Sequence, residues 1–143
     1  GAILSEKKSK EKEALEFYGR NLGLTFQIAD DTLDYNSELK LFGKEIGQDF
    51  FEGKITLPII LLFQNCEIIE KERLKDIFSK DIRNTEDLNY TLSLIKKYDV
   101  IKKCYQKAQH YINLASNSLS IFHESDEKNI LENLTSFSLS RNF

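Results

Sequence analysis

Apolar residues recur along this chain at steps of three and four, the spacing of one face of an α-helix. Leu15, Tyr18, Leu22, Phe26, Ala29 and Leu33 form such a stripe and predict a long helix over residues 10–35. Ser9 is placed to cap it. Glu11 and Glu13 stand in its first turn, where unpaired backbone N–H groups favour negative charge. Gly19 and Gly23 fall inside the stripe. A glycine weakens a helix by about 1 kcal/mol against alanine, so the pair leads us to expect another helix packed closely there.

The pattern breaks over residues 36–57. Gly43, Gly47 and Gly53 amid mixed charge predict a structured loop, with a short turn of helix around 44–51. Pro58 suits the first position of the next helix, where a missing N–H costs nothing. Ile59-Ile60-Leu61-Leu62-Phe63 is apolar nearly all round, which predicts a helix central to the core. Amphipathic helices with short connections follow. They span about 67–79, then from an Asn84-Thr85 cap to about 98, then from Asp99 to about 122. The last starts after Ser125-Asp126 and carries Ile130, Leu131, Leu134, Phe137 and Leu139. No internal repeat or low-complexity linker interrupts them. The class is all-α, a helical bundle, expected as a single helical domain over 1–143.

Composition narrows this further. The 143 residues are 41% hydrophobic and 30% charged, enough for one domain with one core. One Pro and six Gly leave few of the turns an all-β fold needs. The longest apolar run, 57–63, falls far short of the roughly 20 residues that span a bilayer. Cys66 and Cys104 lie far apart with no zinc-ligand spacing, and His110 and His123 are isolated on helical patterns. We therefore expect reduced thiols, histidines in surface or packing roles, and a cytoplasmic protein. The chain opens Gly1-Ala2-Ile3-Leu4, runs on into a polar stretch without a signal peptide, and contains no Met. A processed or truncated start is the expectation.

Charge is unevenly placed. Net charge is −3, yet residues 26–58 hold seven acids (Asp30, Asp31, Asp34, Glu38, Glu45, Asp49, Glu52) against Lys40, Lys44 and Lys54. That segment carries −4 and the remainder +1. No basic stripe with interleaved aromatics is present, which argues against nucleic-acid binding.

Gln27, Asp30, Asp31 and Asp34 share one helical face. Three carboxylates within a turn repel one another and raise one another's pKa, unless a cation resolves the repulsion. Hard oxygen donors of this kind suit Mg²⁺, which takes one or two carboxylates and completes its shell with water and phosphate. A solvated acidic face is the competing reading. The apolar run Leu22-Gly23-Leu24-Thr25-Phe26-Gln27-Ile28-Ala29 argues instead that the acids end a buried helix. Gly43-Lys44, Gly47-Gln48-Asp49 and Glu52-Gly53-Lys54 then supply cations and glycines within 12 residues. Lysines beside a carboxylate–Mg²⁺ cluster make sense around a polyphosphate, which glycines let the backbone approach.

The run from Tyr18-Gly19-Arg20 through Phe26-Gln27-Ile28-Ala29-Asp30-Asp31-Thr32-Leu33-Asp34-Tyr35 resembles the second aspartate-rich motif of trans-isoprenyl (polyprenyl) diphosphate synthases. Gly43-Lys44, Gly47-Gln48-Asp49 and Glu52-Gly53-Lys54-Ile55-Thr56-Leu57-Pro58 resemble the segment that follows it in that family. The C-terminal helices, ending Phe137-Ser138-Leu139-Ser140-Arg141, are similar to long-chain members of the octaprenyl diphosphate synthase type, a looser match. The resemblance implies the C-terminal part of the isoprenoid synthase fold, and a Mg²⁺-dependent prenyltransferase joining isopentenyl diphosphate to an allylic diphosphate. By matching positions, Asp30, Asp31 and Asp34 would ligate Mg²⁺, with Asp49 supporting the metal shell. Asp30, Asp31 and Lys44 would be catalytic, and Lys44 and Lys54 would contact the allylic diphosphate. Phe26 and Gln27 would line the isopentenyl side, with Arg141 closing it. The full-length enzyme would be a homodimer.

The first aspartate-rich motif of that family is absent from these 143 residues. The resemblance thus covers roughly the C-terminal half of a synthase, from which little or no turnover is expected alone. Two other readings stay open: a non-catalytic helical partner of a full-length synthase, and a helical interaction domain whose acids decorate the surface.

Overall fold

A computed structural model describes residues 2–38 and 45–142, with only the backbone given for 137–142. All regular structure among these residues is helical: α1 (Ala2–Leu33), α2 (Gln48–Phe51), α3 (Leu57–Asn65), α4 (Ile68–Ser79), α5 (Thr85–Lys97), α6 (Val100–Ser118) and α7 (Asp126–Asn142), with a 3-10 turn at Leu119–Ile121. The all-α reading of the sequence holds. No helix is long and apolar enough to cross a membrane among the described residues. Packing divides the chain into two compact units, Gly1–Gln27 with Gln106–Phe143, and Ile28–Tyr105. Helices α1 and α6 supply residues to both.

Helix α1 begins at Ala2 rather than after Ser9, because Ala-Ile-Leu-Ser-Glu-Lys-Lys consists largely of competent helix formers and nothing breaks it. Its buried face also differs from the expected stripe. Tyr18, Leu22 and Ala29 are buried as expected, but Leu15 and Phe26 are exposed. Asn21, Thr25, Ile28 and Thr32 take their place. The polar members are tolerated because each satisfies itself on the helix. Asn21 Nδ2 donates to Phe17 O (2.8 Å), Thr25 Oγ1 to Asn21 O (3.0 Å) and Thr32 Oγ1 to Ile28 O (2.6 Å). The close approach expected at Gly19 and Gly23 is not found. A Cβ at either would meet nothing within 4 Å among the described residues.

In the first unit, Tyr18, Leu22, Ile112, Ala115 and Leu119 form the core, with Phe122 and Leu131 against it. The Tyr18 hydroxyl donates to Leu131 O at 2.7 Å, tying α7 to α1. The second unit is built on α3, whose Pro58, Ile59, Leu61 and Leu62 are buried while Ile60 remains partly exposed. Pro58 occupies the second helical position, one later than expected. Phe50 of α2 is wholly buried and meets Phe78 edge-on at 5.4 Å between ring centroids. Helix α5 opens with a reciprocal cap. Asn84 Oδ1 accepts Asp87 N–H (2.8 Å), and Asp87 Oδ2 accepts Asn84 N–H (3.0 Å). Asp99 breaks α5 from α6 in the left-handed region, at φ 53, which an Asp side chain tolerates.

Candidate functional site

Asp30, Asp31, Asp34 and Asp49 gather where α1 ends and the loop turns into α2. Asp30 and Asp31 lie on the last turns of α1, and Asp34 follows its final residue. Neither Asp30 nor Asp31 has a hydrogen-bond or ion-pair partner among the described residues. Asp34 is differently employed. Its Oδ1 accepts the Gln48 N–H at 3.1 Å and its Oδ2 the Asp49 N–H at 2.7 Å, while its carbonyl accepts the Gly47 N–H at 2.8 Å. The carboxylate thereby caps the first turn of α2, where unpaired N–H groups seek an anionic acceptor.

The loop residues are set by backbone geometry as much as by charge. Gly47 sits at φ 90, and a Cβ there would lie 2.8 Å from Leu88 Cδ2. Gly53 sits at φ 75, and a Cβ there would lie 2.7 Å from Arg83 Nη2. Both positions favour glycine on conformation, since a positive φ strains any L side chain, and a Cβ would also displace the Leu88 or Arg83 side-chain end. After α2 the chain folds back. Gly53 N–H donates to Phe50 O at 3.0 Å and Lys54 N–H to Asp49 O at 2.9 Å, bringing Lys54 over the helix. The Lys54 ammonium pairs with Glu52 at 2.9 Å and lies 3.9 Å from Asp49 Oδ1.

Among the described residues the cluster is short of positive charge. Burial, then the charges of Asp49, Asp30 and Asp34, push the Asp31 carboxyl above its usual pKa, and Lys54 opposes them. Burial, then Asp34, pushes Asp49 up likewise. The Lys54 bond holds Glu52 low, and the same bond to Glu52 holds Lys54 high. Tyr35, next along from Asp34, is buried with its hydroxyl unpartnered among the described residues, and burial drives its pKa far up.

The structure therefore brings Asp31, Asp34, Asp49 and Lys54 within electrostatic reach of one another, with Asp30 beside them. Phe26 and Gln27 belong to the other unit and are exposed. Lys44 lies outside the described residues, as does the side chain of Arg141. Among the described residues no three His, Cys, Asp or Glu side chains converge closely enough to hold a metal ion by themselves. The donor set nonetheless fits a hard cation. Asp30 and Asp31 offer carboxylate oxygens without other partners among the described residues, and Mg²⁺ asks for one or two such groups. Cys66 is half-buried and Cys104 buried, with both thiols free, and both histidines are exposed.

Sequence reasoning missed Arg83. It lies between α4 and α5, is 7% exposed, and donates from Nε to Phe50 O at 2.8 Å and from Nη1 to Lys80 O at 2.7 Å. No local pattern marks it, since its partners on α2 lie more than 30 residues away.

The helical arrangement is the isoprenyl diphosphate synthase fold. A decaprenyl diphosphate synthase from Rhodobacter capsulatus superposes with a TM-score of 0.84 at 27% identity, over 94% of this chain and 42% of that one. A polyprenyl synthase from Caulobacter crescentus, solved with calcium and isoprenyl diphosphate, gives 0.79 at 35% identity, over 92% and 40%. The polyprenyl synthetase family model matches residues 1–95, and this chain belongs to that family. A Rhodobacter capsulatus all-trans-nonaprenyl-diphosphate synthase (geranyl-diphosphate specific) is 31% identical over 141 residues, 99% of this chain and 43% of that protein. The chain thus spans under half the length of such relatives.

Proposed function

We propose that this chain forms the part of a trans-polyprenyl diphosphate synthase that grips an allylic diphosphate through Mg²⁺. The observation that carries the reading is the acid cluster itself. Asp31 and Asp49 repel their neighbours in a partly desolvated site, and Lys54 is the one described cation that relieves them. A divalent cation supplies positive charge to the acids and keeps coordination positions open for the oxygens of a diphosphate. The Caulobacter crescentus relative, solved with calcium and isoprenyl diphosphate, supports the same ligand chemistry.

Asp30 and Asp31 would hold the cation, with Asp34 and Asp49 completing its acidic surroundings. Mg²⁺, when bound, neutralises charge on the leaving diphosphate. Lys54, with Lys44, neutralises the remainder and orients the group. Breakage of the allylic C–O bond leaves an allylic cation and diphosphate. The double bond of isopentenyl diphosphate, held against Phe26 and Gln27 and enclosed by Arg141, forms the new C–C bond, and the proton lost passes to the released diphosphate. The complete enzyme would work as a homodimer in the cytoplasm. These 143 residues supply one of the two aspartate-rich motifs the reaction uses, so turnover requires a polypeptide that supplies the other.

Calorimetry tests the reading. Inorganic diphosphate with Mg²⁺ should give a saturable heat with this chain that Asp30→Ala/Asp31→Ala abolishes. Equal heats from both proteins would remove the metal and diphosphate assignment. Transfer of label from isopentenyl diphosphate should appear only when the other motif is supplied in trans.

A further inference from the structure

We propose that Arg83 is the positioning residue of the acidic site: by holding the C-terminal end of α2 while Asp34 holds its N-terminal end, it sets where Asp49 and Lys54 stand. The inference takes the ligand from the function proposed above, but the clamp itself rests on geometry alone.

The placement of Arg83 is uncommon. A guanidinium is never neutral and is rarely buried without a carboxylate. Arg83 is buried, and no acid pairs with it among the described residues. Five backbone carbonyls surround it instead. Phe50 O (2.8 Å) and, at longer range, Phe51 O (3.5 Å) come from the end of α2. Lys80 O (2.7 Å), with Ile77 O (3.4 Å) and Phe78 O (3.5 Å), comes from the end of α4. These carbonyls lie where each helix ends and its own N–H donors run out. Phe50 O and Ile77 O each accept one turn N–H, from Gly53 and Lys80, and a cation suits the remaining acceptor capacity.

One planar fork therefore fastens two helix ends, and α2 is the one that cannot stand alone. It has four residues, too few to be stable as an isolated helix. Its first N–H groups are taken by Asp34 and its last carbonyls by Arg83. Phe50 O also accepts the Gly53 N–H, so the arginine grips the atom on which the chain turns back towards Lys54. Gly53 leaves room for the guanidinium, since any Cβ there would collide with Nη2. A lysine at 83 keeps the charge but cannot reach both helix ends with fixed geometry.

The test uses Arg83→Lys and Arg83→Gln, with Gly53→Ala as a third variant that disturbs the same contact from the other side. Backbone amide resonances are followed by NMR, with Asp34→Ala as reference for an α2 whose cap is lost. Arg83→Lys is expected to move the Gln48 and Asp49 amide protons towards their Asp34→Ala positions, while those of Ile95 and Val100 hold. Gly53→Ala is expected to do the same if the arginine variants fail to fold. The dissociation constant for Mg²⁺ with inorganic diphosphate should rise by up to roughly 10-fold, the low end of the cost of losing support around a metal site, because Arg83 acts on Asp49 and Lys54 and not on Asp30 or Asp31. Unmoved Gln48 and Asp49 amides, or equal movement throughout the unit, would overturn the clamp. Failure of the unsubstituted chain to bind diphosphate would instead overturn the ligand assignment, with the amides still deciding the clamp.

Discussion

Asp34 and Asp49 meet through the backbone: the Asp49 N–H donates to Asp34 Oδ2 at 2.7 Å, so the last acid of the α1 motif is also the cap of the loop helix. The site's two stretches of sequence are joined by this contact before any ligand arrives. Asp34→Ala should therefore lower unfolding free energy by about 1.5–3 kcal/mol, the range for hydrogen bonds to a charged group. Asp34→Asn, which keeps one acceptor, should cost less. Urea denaturation of the three proteins checks the order, and an unchanged midpoint for Asp34→Ala would refute the cap.

The acids of the site and Glu70 should respond to pH in opposite senses. Asp31 and Asp49 have raised pKa values, so the folded chain holds their protons more tightly than the unfolded one. The stability they contribute is present below the usual carboxylate pKa and lost as pH rises through the raised values. Asp31→Asn should accordingly raise the urea midpoint at pH 7 and leave it nearly unchanged at pH 3. Glu70 is held down, first by Lys97 at 2.8 Å and then by the Tyr98 hydroxyl, from the usual 4.5 to about 2. Its contribution is present above 4.5 and fades as pH falls towards 2. Glu70→Gln should lower the midpoint at pH 7 and flatten that acid limb. A parallel pH profile for both variants would contradict these assignments.

Tyr35 offers a substitution expected to do no harm. Its ring is buried and its hydroxyl has no partner among the described residues, so the desolvation of that group is met by no bond from them. Tyr35→Phe should leave thermal stability unchanged or raise it by up to about 1 kcal/mol. A clear loss of stability would mean that the hydroxyl is satisfied in solution.

The two thiols should separate by reactivity. Burial, with the charge of Asp31, pushes the Cys104 thiol up to about 11 against a hydrogen bond with Thr32. Cys66 is only half-buried, and Lys71 opposes the rise that burial causes there. A thiolate reagent at pH 8 should modify Cys66 first and reach Cys104 only on denaturation. Equal rates in the folded chain would show that α6 opens readily around Cys104.

Much of this was legible in the chain itself. The helices from α3 to α7 follow from three- and four-residue spacing and from caps such as Asn84, because these are local properties of a few consecutive residues. The Asp30-Asp31-x-x-Asp34 spacing was legible for the same reason, as was the loop bearing Asp49 and Lys54. Where local reading went astray was the choice of face on α1. Leu15 and Phe26 look like core and are exposed, while Asn21, Thr25 and Thr32 look like surface and are buried. Polarity misleads there because i to i−4 bonding satisfies the side chain before it is buried.

The sequence alone determined an all-helical chain, a group of carboxylates at Asp30, Asp31 and Asp34, and a glycine- and lysine-bearing loop behind it. The expected single helical face ends early, since α1 stops at Leu33 and Asp34 lies in the turn beyond. Tertiary structure decided how that loop is held. Asp34 reaches α2 across 14 and 15 residues, and Arg83 reaches it from 33 residues downstream. Neither contact leaves a trace in periodicity, because each depends on which backbone groups a helix end leaves unpaired once the chain has folded around them.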